Sequence, residues 1–237
     1  MARPARIPLS EEATTRERIL RVASELFAEK GYGATSMRDV AHAAGIQVST
    51  LYHHCRSKND LYREVTERTE TQIRAIVDEA LSGGRDFATL SRRAIERLFD
   101  FYLGNRHLAK LALRATLGDR VEHPDRGTRR WVGFMEEVMR QRGAPRSFAG
   151  LDPALLLITF EGILTYHLLA RDSYHTLFGK DVTDPEMARR TKDHVINVVL
   201  RILGIEPVSG GEREATEGGR RTWDSKTTWA RGRSKRC

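Results

Sequence analysis

Apolar positions recur along nearly the whole chain at helical spacing. Ile19, Val22, Ala23, Leu26 and Phe27 fall at i, i+3, i+4, i+7 and i+8, and Gly31 and Gly33 close that stripe. Thr14-Thr15-Arg16-Glu17 ahead of it has the form of a capping box, so the pattern predicts a helix from Thr14 to about Lys30. Ser36-Met37-Arg38-Asp39 opens a second, shorter helix through Met37, Val40, Ala41 and Ala44 that stops at Gly45. Directly after it comes a third short segment, whose inward residues are Ile46, Leu51 and Cys55. Ser57-Lys58-Asn59-Asp60 then caps a longer fourth helix through Leu61 and Val65 to about Leu81.

Beyond Ser82-Gly83-Gly84 the stripes lengthen. Phe87, Leu90, Ala94, Leu98 and Phe101 mark one helix; Leu108, Leu111, Ala112 and Ala115 mark another; Trp131, Phe134, Met135, Val138 and Met139 mark a third. The run from Pro153 to Arg171 is apolar nearly all round, and Met187 to Leu203 places Val195, Val198, Val199 and Ile202 on one side. Period-2 alternation never persists for more than a few residues. The predicted fold class is therefore all-α, with about nine helices.

Composition narrows the function. The 237 residues carry 40 Lys+Arg against 32 Asp+Glu, a formal charge of +8, and 33 of the 40 basic residues are Arg. A basic excess of that kind favours an anionic partner such as nucleic acid, although charge alone does not separate this from a soluble surface. The two cysteines, Cys55 and Cys237, are too far apart in sequence to suggest a disulfide framework or a Cys-based metal site, and fit a reducing cytoplasm. Met1 to Pro8 has no apolar stretch of signal-peptide length. The apolar run after Pro153 is interrupted by Glu161 and His167 and falls short of the roughly 20 apolar residues a bilayer requires, so a buried helix is expected rather than a membrane span. After Glu206 there is little to bury except Trp223 and Trp229, and a disordered tail is expected, with seven basic residues against one Asp from Arg220 to Cys237.

A long helix followed by two short ones joined at a glycine is the geometry of a DNA-reading helix-turn-helix. Ala41 is small where the short helices must cross, Gly45 can take the positive φ of a sharp turn, and Ile46 and Leu51 can face Val40 and Leu26. Gln47, Val48, Ser49, Thr50, Tyr52 and His53 are left to face outward.

These same residues resemble the TetR family of bacterial transcriptional regulators. The resemblance lies in Ile19-Leu20 to Phe27, Gly31-Tyr32, Thr35 to Ala41, Ala44-Gly45-Ile46, Thr50 to His54 and Ser57 to Leu61, and covers about residues 14 to 62. It implies a cytoplasmic homodimer that binds a palindromic operator in double-stranded DNA through the second short helix. It further implies that Arg38, Val48, Ser49, Thr50, Tyr52, His53 and His54 lie at or near the DNA, and that Lys58 contacts a phosphate. Two positions depart from the family pattern: Gln47 stands where a capping Ser or Thr is frequent, and Cys55 replaces a common Phe.

Residue chemistry sharpens the expectation. Only Gln47, on adenine, and Arg38, on guanine, have the reach and the paired donors for bidentate base reading, while Val48 suits a thymine methyl. Ser49, Thr50, Tyr52 and Lys58 are then assigned to phosphates, with part of the specificity left to DNA shape.

The expected organisation is a flexible arm (1–13), a helix-turn-helix domain (14–62), a helical ligand-binding and dimerisation domain (63–205) and a basic tail (206–237). Two readers spaced roughly 34 to 36 Å apart need a stiff dimer. Leu156, Phe160, Ile163, His167, Val195, Val199 and Ile202, on the last two helices, are the candidates for its interface, and the family resemblance implies a four-helix bundle there. Phe101, Tyr102, Leu111, Leu117, Trp131, Phe134, Met135 and Met139 are the candidates for an apolar effector cavity, with His107, His123 and Arg114 available for a polar head group; for any one of them core packing is the commoner role. The expected activity is repression released by a small apolar or aromatic ligand, with the fourth helix as lever; an activator of the same fold is the alternative, and a dimeric ligand-binding module with an idle reader is the alternative from another class. No enzyme is expected, since G-x-S-x-G, P-loop, dinucleotide and H-E-x-x-H patterns are all missing, and no cofactor or metal is called for.

Overall fold

A computed structural model describes residues 15–82, 86–117, 151–205 and the positions 132, 133, 136 and 140. Among them lie nine helices and no strand: α1 (Thr15–Lys30), α2 (Met37–Ala43), α3 (Val48–His54), α4 (Lys58–Leu81), α5 (Phe87–Gly104), α6 (Arg106–Leu117), α7 (Pro153–Leu169), α8 (Arg171–Phe178) and α9 (Pro185–Ile202). The expected helix around Trp131 to Met139 falls largely outside the described residues, as do the N-terminal arm and the basic tail.

The local signals act where the sequence puts them. Asp86, Asp152 and Asp184 each accept backbone N–H bonds at the start of α5, α7 and α9, and Pro185 occupies the first turn of α9, which begins two residues ahead of Met187. At the other end of α9, Gly204 adopts φ 63°, Ile205 N–H donates to Leu200 O at 2.8 Å and Gly204 N–H to Arg201 O at 3.0 Å, a Schellman closure.

Two larger apolar cores result among the described residues, beside two small clusters, Val77 with Leu81 and Leu90, and Tyr174 with Val182 and Met187. The first core joins α1 to α4 around Ile19, Phe27, Val40, Leu51 and Leu61, and includes Leu111 from α6. The second gathers Phe99 of α5, Leu156, Leu164 and Leu168 of α7, and Val195, Ile196, Val199 and Leu200 of α9. This placement corrects two expectations. Leu111 packs in the N-terminal core instead of lining a cavity. Leu156, Val195 and Val199 face inward within one chain, so they present nothing to a second copy.

The long apolar segment forms one helix, α7, which ends within two residues of the expected Arg171. The chain breaks there at Ala170 and turns by 64° into α8. Beside the break, Arg106 donates from Nε to Leu168 O at 3.0 Å, and Tyr174 of α8 is buried against α9. Among the described residues no single helix is long and apolar enough to cross a membrane.

The exposed side of α7 carries Thr159 and Glu161 and, beside them, an apolar row. Leu155, Ile158 and Tyr166 are exposed along one face of α7, with Gly162 between the last two, and exposed Leu151 lies just ahead of the N-cap Asp152. A Cβ built on Gly162 meets nothing within 4 Å, so no neighbour inside this chain requires glycine there. Ile202 of α9 is exposed as well, while Phe160, Ile163 and His167 are half-buried.

Candidate nucleic-acid interface

The two short helices are held by closures that leave their outer faces free. Ser36 and Asp39 form a reciprocal box: Asp39 N–H donates to Ser36 Oγ at 3.1 Å and Ser36 N–H to the Asp39 carboxylate at 2.8 Å. The Ser36 hydroxyl, which donates to the same carboxylate at 2.6 Å, with the Ser36 N–H and then Lys30 Nζ at 3.3 Å, holds the Asp39 carboxyl down at about 2. Between α2 and α3, Gly45 has φ 66°, its N–H donates to His42 O at 3.1 Å, and Ile46 N–H donates to Ala41 O at 3.0 Å. This second Schellman closure fixes the turn, and the partly buried Ile46 packs on the N-terminal core beneath it.

Leu51, fully buried, pins α3 to that core. Cys55 follows one turn later, buried, with its thiol donating to Leu51 O at 3.4 Å and pushed toward the protonated form by burial. The smaller side chain is thus accommodated where a Phe is common.

The outer face carries Gln47, Ser49, Tyr52 and His53, all exposed, with Tyr52 at 52%. Gln47 is the N-cap of α3 but makes no side-chain cap bond, so its amide is free to project. Arg38 on α2 is exposed and enters no ion pair among the described residues. Val48 and Thr50 are half-buried, Val48 against the core, and His54 is half-buried as well. Of the outward set expected from sequence, Val48 and Thr50 therefore offer only part of their surface.

Lys58 has a second occupation. Its ammonium donates to Tyr32 O at 2.9 Å and Gly33 O at 3.4 Å and lies 4.3 Å from the Tyr32 ring centroid. It therefore staples the start of α4 to the turn after α1, with a donor remaining for an anion. Arg16 and Glu64 tie α1 to α4 at 2.7 Å on the same side. Sequence reasoning missed Arg56: it follows α3 directly, is exposed, and is unpaired among the described residues. Its signal was a basic residue next to a recognition helix that itself lacks Arg and Lys. Beside it opens a polar groove of about 490 Å³, whose walls include Asp60, Glu64 and Glu67.

The effector candidates are dispersed. Phe101 and Tyr102 form an edge-to-face pair at 5.4 Å, and Tyr102 packs against the second core. Tyr102 and Glu161 both resist ionisation: burial raises the Tyr102 phenol with the Glu161 charge adding to it, and burial raises the Glu161 carboxyl. Leu117 ends α6, while Trp131, Phe134, Met135, Met139 and His123 lie outside the described residues. His107 and Arg114 belong to the joint between α6 and α1. Arg114 donates from Nε to Ala28 O at 2.8 Å and from Nη2 to Glu29 O at 2.9 Å, and Lys110 pairs with Glu29 at 2.7 Å. Burial lowers the pKa of His107 there, with Glu25 of α1 opposing the shift. Among the described residues no cluster of three or more His, Cys, Asp and Glu side chains could hold a metal ion.

Residues 19–65 match the family model for bacterial regulatory proteins of the tetR family. The chain is 36% identical over 96 residues to the HTH-type transcriptional activator FasR of Mycolicibacterium smegmatis, covering 40% of this chain and 42% of that protein. It is 43% identical over 56 residues to the HTH-type transcriptional repressor KstR2 of the same organism, covering 24% and 27%. The chain thus spans less than half the length of these curated relatives. In structure it is similar to SCO4942 from Streptomyces coelicolor, with a TM-score of 0.58 at 20% identity over 80% of this chain and 98% of that one. It is likewise similar to AibR in complex with isovaleryl coenzyme A and operator DNA, with a TM-score of 0.56 at 18% identity over 78% and 97%. At these identities the structural likeness carries the fold.

Proposed function

We propose, from the match of residues 19–65 to the family model for bacterial regulatory proteins of the tetR family, that the chain is a sequence-specific DNA-binding transcriptional regulator of that family, a cytoplasmic homodimer released from a palindromic operator by a small apolar ligand. The observation that carries this reading is the outer face of α2 and α3. Its exposed polar side chains sit on a fully packed support, and two unpaired arginines, Arg38 and Arg56, flank them. In this account α3 enters the major groove, Gln47 reads adenine, Arg38 reads guanine and Val48 meets a thymine methyl. Ser49, Thr50, Tyr52, His53, His54, Arg56 and the spare donor of Lys58 engage the backbone and set the register.

The second copy docks on Leu151 and the exposed α7 face of Leu155, Ile158 and Tyr166, where Gly162 permits a close helix crossing, together with Ile202. The effector acts by binding better to the form whose two heads are wrongly spaced, and it weakens DNA binding only by that difference. Repression is the chosen sign. The named relatives include an activator and a repressor.

A mobility-shift titration on DNA upstream of the chain's own gene, run across salt concentrations, tests the reading. The expected result is a saturable shift that weakens steeply with salt, loses its sequence preference in Gln47→Ala and Arg38→Ala, and loses about one unit of salt slope in Arg56→Ala. No shift at any salt would return the reader to an idle module. A shift without sequence preference would remove the base-reading assignments.

A further inference from the structure

Between α7, α8 and α9 lies a polar chain that DNA reading does not use. His167 Nδ1 is 2.8 Å from Tyr174 Oη, and Tyr174 donates to Thr191 Oγ1 at 3.1 Å in a buried setting. A phenol has one proton. With that proton directed at Thr191, the Tyr174 oxygen accepts from His167, which places the ring proton on Nδ1 and leaves the Nε2 lone pair free. Covalent geometry turns Nε2 away from Tyr174.

The other aromatic neighbours of His167 are Tyr166 and His194. His194 is an exposed side chain of α9, and its ring centroid is 5.7 Å from that of His167. Two imidazoles bound to one tetrahedral ion at a Zn–N length of about 2.0 Å bring their centroids to about 5 Å, close to the 5.7 Å that separates these two rings, which meet at 75°. A histidine whose Nδ1–H is fixed by a buried oxygen while Nε2 stays open is also the arrangement that supports metal ligation.

We infer that His167 and His194 form a two-histidine site for a borderline divalent transition metal such as Zn²⁺ or Co²⁺, with Tyr174 as the positioning residue and water in the remaining coordination positions. Such an ion bridges α7 and α9. It belongs to a site independent of the DNA reader, and its ligands come from one chain. With only two protein ligands the site is open, so the ion is exchangeable and suits a regulatory input better than a folding requirement.

The test is a titration of the full chain with Co²⁺ or Zn²⁺ in chelator-free buffer, read by calorimetry and, for Co²⁺, by the visible spectrum. One ion per chain is expected to bind saturably. His194→Ala, at an exposed position, should abolish that binding without lowering the melting temperature of the metal-free protein, and His175→Ala on α8 should leave it intact. Tyr174→Phe keeps both ligands and should weaken the affinity by about 10- to 100-fold. Thr191→Val, which removes the acceptor of the Tyr174 proton, should weaken it in the same direction. If binding is not saturable, or is unchanged in His194→Ala, the two rings are a packing pair and the inference is overturned. Either result leaves the DNA titration standing on its own.

Discussion

Replacing Arg114 by Met tests the joint between the N-terminal helices and the rest of the chain. Ala28 O and Glu29 O belong to the last turn of α1, whose carbonyls have no partner inside the helix, and the Arg114 guanidinium supplies donors to both. A positive charge at that end also meets the negative end of the α1 dipole. Hydrogen bonds from a charged group contribute about 1.5–3 kcal/mol; since the contact to Glu29 O is exposed, we expect a loss of about 2 kcal/mol for the pair. Methionine retains most of the apolar stem, so the change isolates the fork. For a chain of this size that loss lowers the melting temperature by about 4–8 °C. Arg114→Lys, which keeps the charge but cannot reach both carbonyls in the same plane, should recover less than half of it. Thermal unfolding followed by circular dichroism measures all three proteins. A melting temperature within a degree of the wild type for Arg114→Met would refute the claim that this guanidinium closes α1 and fastens α6 to it.

Gly45→Ala meets no steric obstacle, since nothing lies within 4 Å of the added carbon, so its cost is backbone strain at φ 66°, about 1–2 kcal/mol and a fall of about 2–8 °C in melting temperature. The Asp39 carboxyl is held at about 2 in the folded chain against an unfolded value of 3.8. Its folded pKa is depressed, so its stabilising share is full above about pH 4 and fades as pH falls toward 2; Asp39→Asn should flatten that part of an acid-unfolding curve, and an unchanged curve would count against the capping box. Ile158→Arg places a charge on a residue that is already 60% exposed, so folding should be unaffected to within about 0.5 kcal/mol, whereas sedimentation should change from dimer to monomer if α7 carries the interface.

The N-terminal helices were legible because their signals are local. Ser36 with Asp39, Gly45, and Ser57 with Asp60 each close a bond within a few residues, and the stripe from Ile19 to Phe27 needs only one buried side to explain it. The C-terminal half was legible as helix but not as faces. The segment after Pro153 is apolar on all sides, so no stripe distinguishes the side that meets α5 and α9 from the side left exposed. Leu156 was assigned outward and lies in the core, while Leu155 and Ile158 beside it are the exposed pair. The bonds that hold the segment's end at Ala170 were hidden as well: those of Arg106 and Tyr174 reach partners 62 and 17 positions away. Arg114 failed for the same reason, since its acceptors are 86 and 85 residues distant.

Those long-range contacts alter how a signal would travel. An account with α4 alone as lever treats the head as attached through one continuous helix, about 36 Å long at 1.5 Å per residue. The head is held at a second point by α6, through Leu111 in its core and Arg114 and Lys110 at the end of α1. Two attachments resist a free swing of α4 and convert any shift of α6 relative to α4 into a rotation of the head about the line joining them. An effector that moves α6 by a fraction of a helical turn is then sufficient to change head spacing, and one that moves α4 alone must first break the α6 contacts. The two routes separate in an Arg114→Met, Lys110→Met double variant. If α6 carries the signal, the variant still binds DNA but its affinity no longer responds to effector; if α4 carries it alone, the response survives or grows.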